Sequence, residues 1–533
     1  MSNTIGAFFR SRAQAHGETT FLVVPADAGR GYHPDGYAIS FDGAAQVVAG
    51  WAERLTAAGY GHGHRVAVLL GNRPEMLLVK LALAARGISW VPVNPDYRPA
   101  EIAYLLQDSD AVLALAAPDL AELMAQGIAQ SGRAVPLLEM AADLPDLPKA
   151  TIAPPQAGPV TETSEASLIY TSGTTGRPKG CIMSHGYEIE MGQWYGSRGG
   201  LIRFDAGRSR VYCPLPLFHV NAAILLTMCA IDQGITQIIP ERFRAGAWWR
   251  EIVETGATVA HYLGIIIPAL MNRAPEEFEK QHKIEFAVGA GVEPTLHRAF
   301  EDRFGFPLIE VWGMTEMCRI LADCHPPRHV DTRAMGRPVQ GLEVRVVDDA
   351  GHEQPRGIPG EMVLRHSADT PRRGAFSGYL NLEDATEDAW RGGWFHTGDT
   401  VVMDDSGMIC FVDRKKNIIR RSGENIAAAE IEACLQEHPR VLRVAVIAVD
   451  DAMRDEEVMA CVQVDGARDA AMAEALFAWC FERLTYYKAP GWVRFLDDIP
   501  VTGTQKIQKH AMFAPGEAAT DSAHDFRDRK KRG

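Results

Sequence analysis

Ten residues, Thr171-Ser172-Gly173-Thr174-Thr175-Gly176-Arg177-Pro178-Lys179-Gly180, follow the apolar run Leu168-Ile169-Tyr170, which reads as a strand. Three glycines let backbone N–H groups close on a ligand, and four hydroxyls and a lysine add donors, so the loop is suited to cradling a polyphosphate. It is not a P-loop. Pro178 stands where the second glycine of that pattern belongs, and Lys179 is followed by Gly180, which has no hydroxyl for a magnesium ion. Taken alone, such a run is more often a solvated Gly/Thr-rich turn, so its weight depends on what lies downstream.

Two downstream segments carry groups that suit a nucleotide. Glu310-Val311-Trp312-Gly313-Met314-Thr315-Glu316 delivers a flat aromatic, a glycine, a hydroxyl and a carboxylate within seven residues. Those groups can stack a purine, approach it closely, bond a phosphate and hold Mg²⁺. Gly393-Trp394-Phe395-His396-Thr397-Gly398-Asp399 ends in a carboxylate able to accept both hydroxyls of a ribose, although a lone Thr-Gly-Asp is usually an ordinary turn. The basic stretch from Asp413 to Asn425 reads as a solvated face at Lys415, Lys416, Arg420 and Arg421. Ser422-Gly423-Glu424-Asn425 after Ile418-Ile419 is unusual for a mere surface.

In type, order and spacing these segments resemble the adenylate-forming superfamily of acyl-CoA synthetases, luciferases and peptide-synthetase adenylation domains, over nearly the whole chain from Phe41 to Lys509. The resemblance implies an acid–CoA ligase that consumes ATP, with Mg²⁺ as cofactor and coenzyme A as co-substrate, and it assigns roles. Thr171, Ser172, Gly173, Thr174, Thr175, Gly176 and Lys179 would hold the phosphates, Thr315 would contact the α-phosphate and Glu316 the metal. Gly289-Ala290-Gly291 would border the adenine with Trp312, where the family usually has tyrosine, and Gly313. Asp399 would take the ribose, Arg414 would be a second ribose or phosphate contact, and Gly423 would border the pantetheine tunnel. Pro216-Leu217-Phe218-His219 resembles the segment beside the acyl pocket, so His219 and Asn221 become substrate-pocket residues. Asp413 would be the hinge and Lys506 the mobile catalytic lysine, with Gln505 where glycine is usual. A luciferase-like enzyme that adenylates without CoA, or a silent nucleotide sensor, are the competing readings.

Positioning such groups takes an α/β frame. Helix-like and strand-like pieces alternate from Ile39 to Ala117: a helix over Ala44–Ala58, a strand over Arg65–Leu70, a helix over Pro74–Ala85 and a strand over Ser89–Val93. The rhythm returns with strands over Val211–Leu217, Ile235–Pro240, Thr258–Leu263 and Phe286–Gly289, and helices over Ala222–Ile231 and Ala247–Thr255. Expected is a large N-terminal domain, residues 1–412, made of two stacked α/β lobes plus a β-rich lobe, then a small mobile α+β domain, 413–513. Residues 514–533, without aliphatic periodicity and ending Arg529-Lys530-Lys531-Arg532, read as a disordered tail.

Composition sets the outer limits. At 533 residues the chain exceeds a single core, and 47% apolar with 23% charged residues is ordinary for a globular protein. A net charge of −14 argues against a general nucleic-acid binder. Nine scattered cysteines without a Cys-x-x-Cys pair, no signal-like N-terminus and no long apolar run predict a cytoplasmic protein that inserts in no membrane. Partners are then small molecules, with a homodimer left open. His219 after Phe218, where amino-acid-activating domains usually carry aspartate, disfavours an amino-acid substrate, because an unpaired α-ammonium is costly to bury. Segments such as Phe243–Leu270 most resemble crotonobetaine/carnitine-CoA ligases and related bacterial ligases. A trimethylammonium acid would want an aromatic cage or a carboxylate in the pocket; Trp194, Tyr195 and Trp312 are available for a cage. Fatty, aryl and steroid-derived acids stay open.

Overall fold

The computed structural model of the protein describes residues 4–531 except 172–177, 265, 349, 415–417, 501–508, 510–511 and 515–516. Apolar runs bounded by turn residues become parallel strands. Arg65–Leu69, Ser89–Pro92, Leu113–Ala116, Leu137–Glu139 and Glu165–Thr171 form the parallel part of a seven-stranded sheet, which Lys179–Ser184 and Gly378–Tyr379 close in antiparallel fashion. The strands are apolar on both faces because helices cover both sides. Helix Phe41–Ala57 starts at Ser40, whose hydroxyl accepts the Gly43 N–H, and buries Phe41, Ala44, Val48, Trp51 and Leu55 along one stripe.

An eight-stranded sheet forms the second lobe. Its parallel centre is Val259–Leu263, Phe286–Ala290 and Leu308–Met314, and the antiparallel strand Met317–Ala322 sits at one edge. Helix Pro74–Ala84 touches strands of both sheets and is buried along its whole length, which explains why its sequence is apolar all round. Two charged residues are the exceptions inside it: Glu75 lies 2.7 Å from His33 Nε2, and Lys80 is paired with Glu188 of helix His185–Gly196, where Glu188 also accepts the Ser167 hydroxyl. A charge can stay buried there because partners occupy both oxygens of the carboxylate.

A five-stranded antiparallel sheet, in the order Ala334–Gly336, Ile409–Arg414, Phe395–Met403, Gly360–Arg365 and Glu343–Val347, makes the β-rich lobe. The main core runs as far as Ile409 with Phe411 against it, and a separate core begins at Ile419. That second core packs helices Ala428–Gln436 and Ala470–Arg483 on a sheet built around Val441–Asp451 and Asp455–Val464. No described helix is long and apolar enough to cross a membrane. The nine cysteines are free thiols, and all but Cys410 are buried.

Three expectations are corrected. The strand placed over Val211–Leu217 is only Arg210–Tyr212, because Pro214 and Pro216 have no N–H to give a ladder. The helix placed over Ala222–Ile231 is a π-helical turn, Asn221–Leu226, running into α-helix Thr227–Gln233. The disordered tail is folded at least from His524 to Lys530. His524–Asp525 pairs with strand Trp492–Phe495, Phe526 stacks on Phe477 at 4.9 Å, and Lys530 is buried against Glu457. Polar composition concealed this, since the segment is held by charges and one aromatic side chain. Arg421 reaches the same Glu457 at 2.8 Å, so the tail braces the strand that leads into Gly423. Lys530→Glu is expected to lower the stability of the protein by about 2–4 kcal/mol, since it sets a second carboxylate against buried Glu457. An unchanged denaturant midpoint would mean that the tail does no bracing.

Candidate active site

A cavity of about 630 Å³ lies where the carboxyl ends of the parallel strands, the β-rich lobe and the C-terminal domain meet. Its size suits an organic ligand, and strand carboxyl ends are where open α/β sheets place their ligands. On one side stand the ends of the Gly/Thr loop. Thr171 and Lys179 pair across their strands and both line the cavity. The Lys179 ammonium lies 4.7 Å from the centre of the Tyr379 ring, and the Tyr379 hydroxyl donates to Glu316 at 2.8 Å. Burial and the Glu316 carboxylate hold the Tyr379 phenol well above its usual pKa, which keeps it a donor. Thr315 lines the wall beside Glu316, its carbonyl accepting the Tyr187 hydroxyl at 2.7 Å. Ser172, Gly173, Thr174, Thr175 and Gly176 lie outside the described residues.

Gly289, Ala290 and Gly313 line the next stretch of wall. A Cβ on Gly289 would stand 2.3 Å from the Tyr262 carbonyl oxygen, so only glycine allows the two strands to run this close. Gly291 is not in the wall. Its N–H donates to Glu310 at 2.9 Å, and Val292 N–H and the Tyr262 hydroxyl reach the same carboxylate at 3.3 and 2.6 Å. Glu310 therefore fixes this turn from behind, and burial raises its pKa.

Asp399 is buried at the cavity edge and accepts the Trp312 indole N–H at 2.8 Å. Trp312 was expected to stack on a purine. Its neighbours Val311 and Gly313 reach the cavity, whereas its own ring braces Asp399. The turn before Asp399 is tied twice more, by Thr397 Oγ1 donating to the Met362 carbonyl at 2.7 Å and by Gly398 N–H donating to Glu361 at 3.2 Å. Arg414 faces Asp399 in the β-ladder and Asp413 faces Thr400; their side chains lie outside what is described, as does Lys506.

The acyl side carries His219 and Asn221 with Phe218, Leu215, Met191, Leu225 and Ile320. Facing it, the C-terminal domain inserts Gly423 and Glu424, with Tyr487 and Lys488 behind them, and His219 Nε2 lies 3.7 Å from a Glu424 oxygen. The two domains are held by Lys488, which bonds Glu101 at 2.7 Å and Glu430 at 2.8 Å, and by Asn94 Nδ2 donating to the Tyr487 hydroxyl at 3.0 Å. Burial disfavours the Lys488 ammonium, but the flanking Glu101 and Glu430 more than offset it, so its pKa lies above the ordinary lysine value.

The aromatic cage is not formed. Trp194 gives its indole N–H to the Ile320 carbonyl at 2.9 Å and carries Arg198 on its face at 3.6 Å. Tyr195 bonds His261, Trp312 bonds Asp399, and none of the three lines the cavity. Sequence reading missed Tyr379, Glu310 and the Lys488–Glu101 pair. Glu310 stood in a segment already singled out, and Lys488 was marked by its place beside apolar Tyr486, Tyr487 and Ala489. Its partner is 387 residues away, which no local pattern reports.

Set beside known proteins, residues 9–380 match the family described as AMP-binding enzyme and residues 430–506 match the AMP-binding enzyme C-terminal domain. Sulfoacetate–CoA ligase of Cupriavidus necator is 31% identical over 95% of this chain and 97% of that protein. Crotonobetaine/carnitine–CoA ligase of Proteus mirabilis is 30% identical over 86% and 90%. In fold, the o-succinylbenzoate CoA synthetase of Bacillus subtilis bound with its product analogue matches with a TM-score of 0.79 at 23% identity, covering 96% of this chain and 98% of that one. The same enzyme in complex with AMP matches at 0.63, covering 98% and 99%. The chain belongs to the AMP-binding enzyme family.

Proposed function

We infer that the protein is an AMP-forming acid–CoA ligase, joining a carboxylic acid to coenzyme A through an acyl adenylate and releasing AMP and diphosphate. The observation that carries this is a single cavity walled on one side by Lys179, Thr315, Glu316 and Asp399, on the second by the His219–Asn221 turn, and on the third by Gly423 and Glu424 of the other domain. Nucleotide, acid and thiol can thus meet at one point.

In the first half-reaction a carboxylate oxygen attacks the α-phosphorus of ATP and diphosphate leaves. Both reactants are anionic, so the barrier is largely electrostatic. Lys179 and Lys506 would counter the charge that builds on the phosphate oxygens, Thr315 would donate to the α-phosphate, and Asp399, fixed by Trp312, would hold the ribose. Glu316 suits Mg²⁺, which takes one or two carboxylates beside phosphate oxygens and water, and the ion when bound would neutralise phosphate charge. In the second half-reaction the CoA thiol attacks the acyl carbonyl and AMP leaves.

With Gly423 and Glu424 in the cavity and Lys488 on Glu101, the domains stand as the thiol step would require. Rotation about Asp413 would then exchange this loop for Lys506. Trp194, Tyr195 and Trp312 form no cage for a trimethylammonium group, while the Glu424 carboxylate lines the pocket beside His219, so carnitine-like, fatty, aryl and steroid-derived acids all belong in the test.

The test is a panel of carboxylic acids with ATP, Mg²⁺ and CoA. AMP, diphosphate and acyl-CoA are expected in equal amounts from at least one acid; ADP and orthophosphate would overturn the reading.

A further inference from the structure

Beyond His219 the cavity continues between helix His185–Gly196 and the π-helical turn Asn221–Leu226, and Met191, Leu225, Val311 and Ile320 make its apolar wall. Asn221 brings an amide into that wall, and the amide is not free to turn. Its Oδ1 lies 2.9 Å from Nδ1 of His261, whose Nε2 lies 2.8 Å from the hydroxyl of Tyr195. His261 and Tyr195 are fully buried. Burial pushes the His261 pKa down to about 3, so the ring is neutral and carries one proton.

The position of that proton follows from Tyr195. Among the described residues its hydroxyl has one hydrogen-bond partner, His261, so a donating Nε2–H would strand the phenolic proton in the core. Tyr195 therefore donates to Nε2, the imidazole proton sits on Nδ1, and Nδ1–H donates to the Asn221 oxygen. The Asn221 NH₂ is left facing the cavity, where no described residue accepts from it.

Resting on the ligase reading, we propose that Asn221 is a specificity-determining donor whose orientation is set by the positioning pair His261 and Tyr195, and that it selects acids carrying an oxygen acceptor away from the carboxylate being activated. A carbonyl, hydroxyl or second acidic oxygen on the chain would satisfy the N–H groups. A plain alkyl chain would bury them unsatisfied, and a trimethylammonium group would offer no acceptor.

The probes are stable adenylate mimics, 5′-O-(N-acylsulfamoyl)adenosines bearing pentanoyl, 3-oxopentanoyl or 4-oxopentanoyl chains, titrated calorimetrically against the full chain. At least one oxo compound is expected to bind about tenfold more tightly than the pentanoyl compound, the effect of one hydrogen bond made in place of a stranded donor. In Asn221→Leu that ratio should fall to about one. In Tyr195→Phe it should fall part of the way, because the imidazole proton is no longer directed to Nδ1. A merely structural role would weaken all three compounds together and leave the ratio intact. Equal binding of the three by the unmodified protein, or a ratio that survives Asn221→Leu, would overturn the inference. Failure of all three to bind would instead count against the adenylate reading beneath it.

Discussion

Replacing Lys506 by alanine should slow acyl-adenylate formation by about 10²- to 10³-fold, the usual cost of removing one preorganised donor from a developing oxyanion. Affinity for ATP should change far less. The triphosphate would already meet Lys179 and the groups around Glu316, which line the cavity, in the ground state, whereas Lys506 would act on charge that appears only as the carboxylate closes on phosphorus. Exchange of labelled diphosphate into ATP measures the first half-reaction alone, and nucleotide binding by calorimetry measures the ground state. Transfer to CoA from a preformed adenylate should be nearly unaffected, since the lysine would be withdrawn in that step. Exchange within threefold of the unmodified protein would remove Lys506 from the mechanism and with it the need for domain rotation.

Gly423→Val should produce the opposite pattern, a loss of roughly 10²-fold or more in thiol transfer with diphosphate exchange largely retained. Gly423 has φ +87°, and a Cβ there would lie 2.5 Å from Leu263 Cδ1 at the end of the parallel strand Val259–Leu263. A left-handed backbone costs an L-residue about 1–2 kcal/mol, and forcing extra methyls into a filled space costs about 1–3 kcal/mol more. The clash with Leu263 exists only while the C-terminal domain is docked with Gly423 in the cavity, whereas the backbone cost falls on the turn between Ile418–Arg421 and Glu424–Ala427 in either arrangement, so the clash alone separates the two half-reactions. Gly423→Ala, smaller but with the same backbone demand, should fall between. Parallel losses in the two half-reactions would show that Gly423 shapes the site as a whole and does not serve one step.

Glu101→Gln tests the same docking from the other side. It leaves Lys488 with one carboxylate, and thiol transfer should fall about tenfold while diphosphate exchange holds. Together the variants at these three positions separate charge delivered for the first step from contacts made for the second.

Much of the site was legible along the chain, and the reason is locality. Thr315 and Glu316 form the turn that follows the strand carrying Gly313, and Gly289 and Ala290 end its neighbour, so their types and spacing within a single strand and turn already specify a shared wall. The π-helical turn at Asn221 was read as ordinary helix because its apolar residues satisfy either period. The tail was read as disordered because its anchors, Phe526 on Phe477 and Lys530 on Glu457, are single side chains without periodicity.

By itself the sequence determined which reacting groups are present, in what order, and that alternating strands and helices would present them at strand ends. These are properties of short segments, set by side-chain period and backbone sterics. Only the tertiary structure decided that Trp312 holds Asp399, that Glu310 holds the turn at Gly291, that the tail supports Arg421, and that Asn221 turns its N–H groups to the cavity. In each of those a buried polar group finds its partner across 19 to 87 residues of chain, from Gly291 and Glu310 at the near end to Trp312 and Asp399 at the far end. Burial favours pairing of such groups, but which partner each takes is settled by packing, not by sequence neighbourhood.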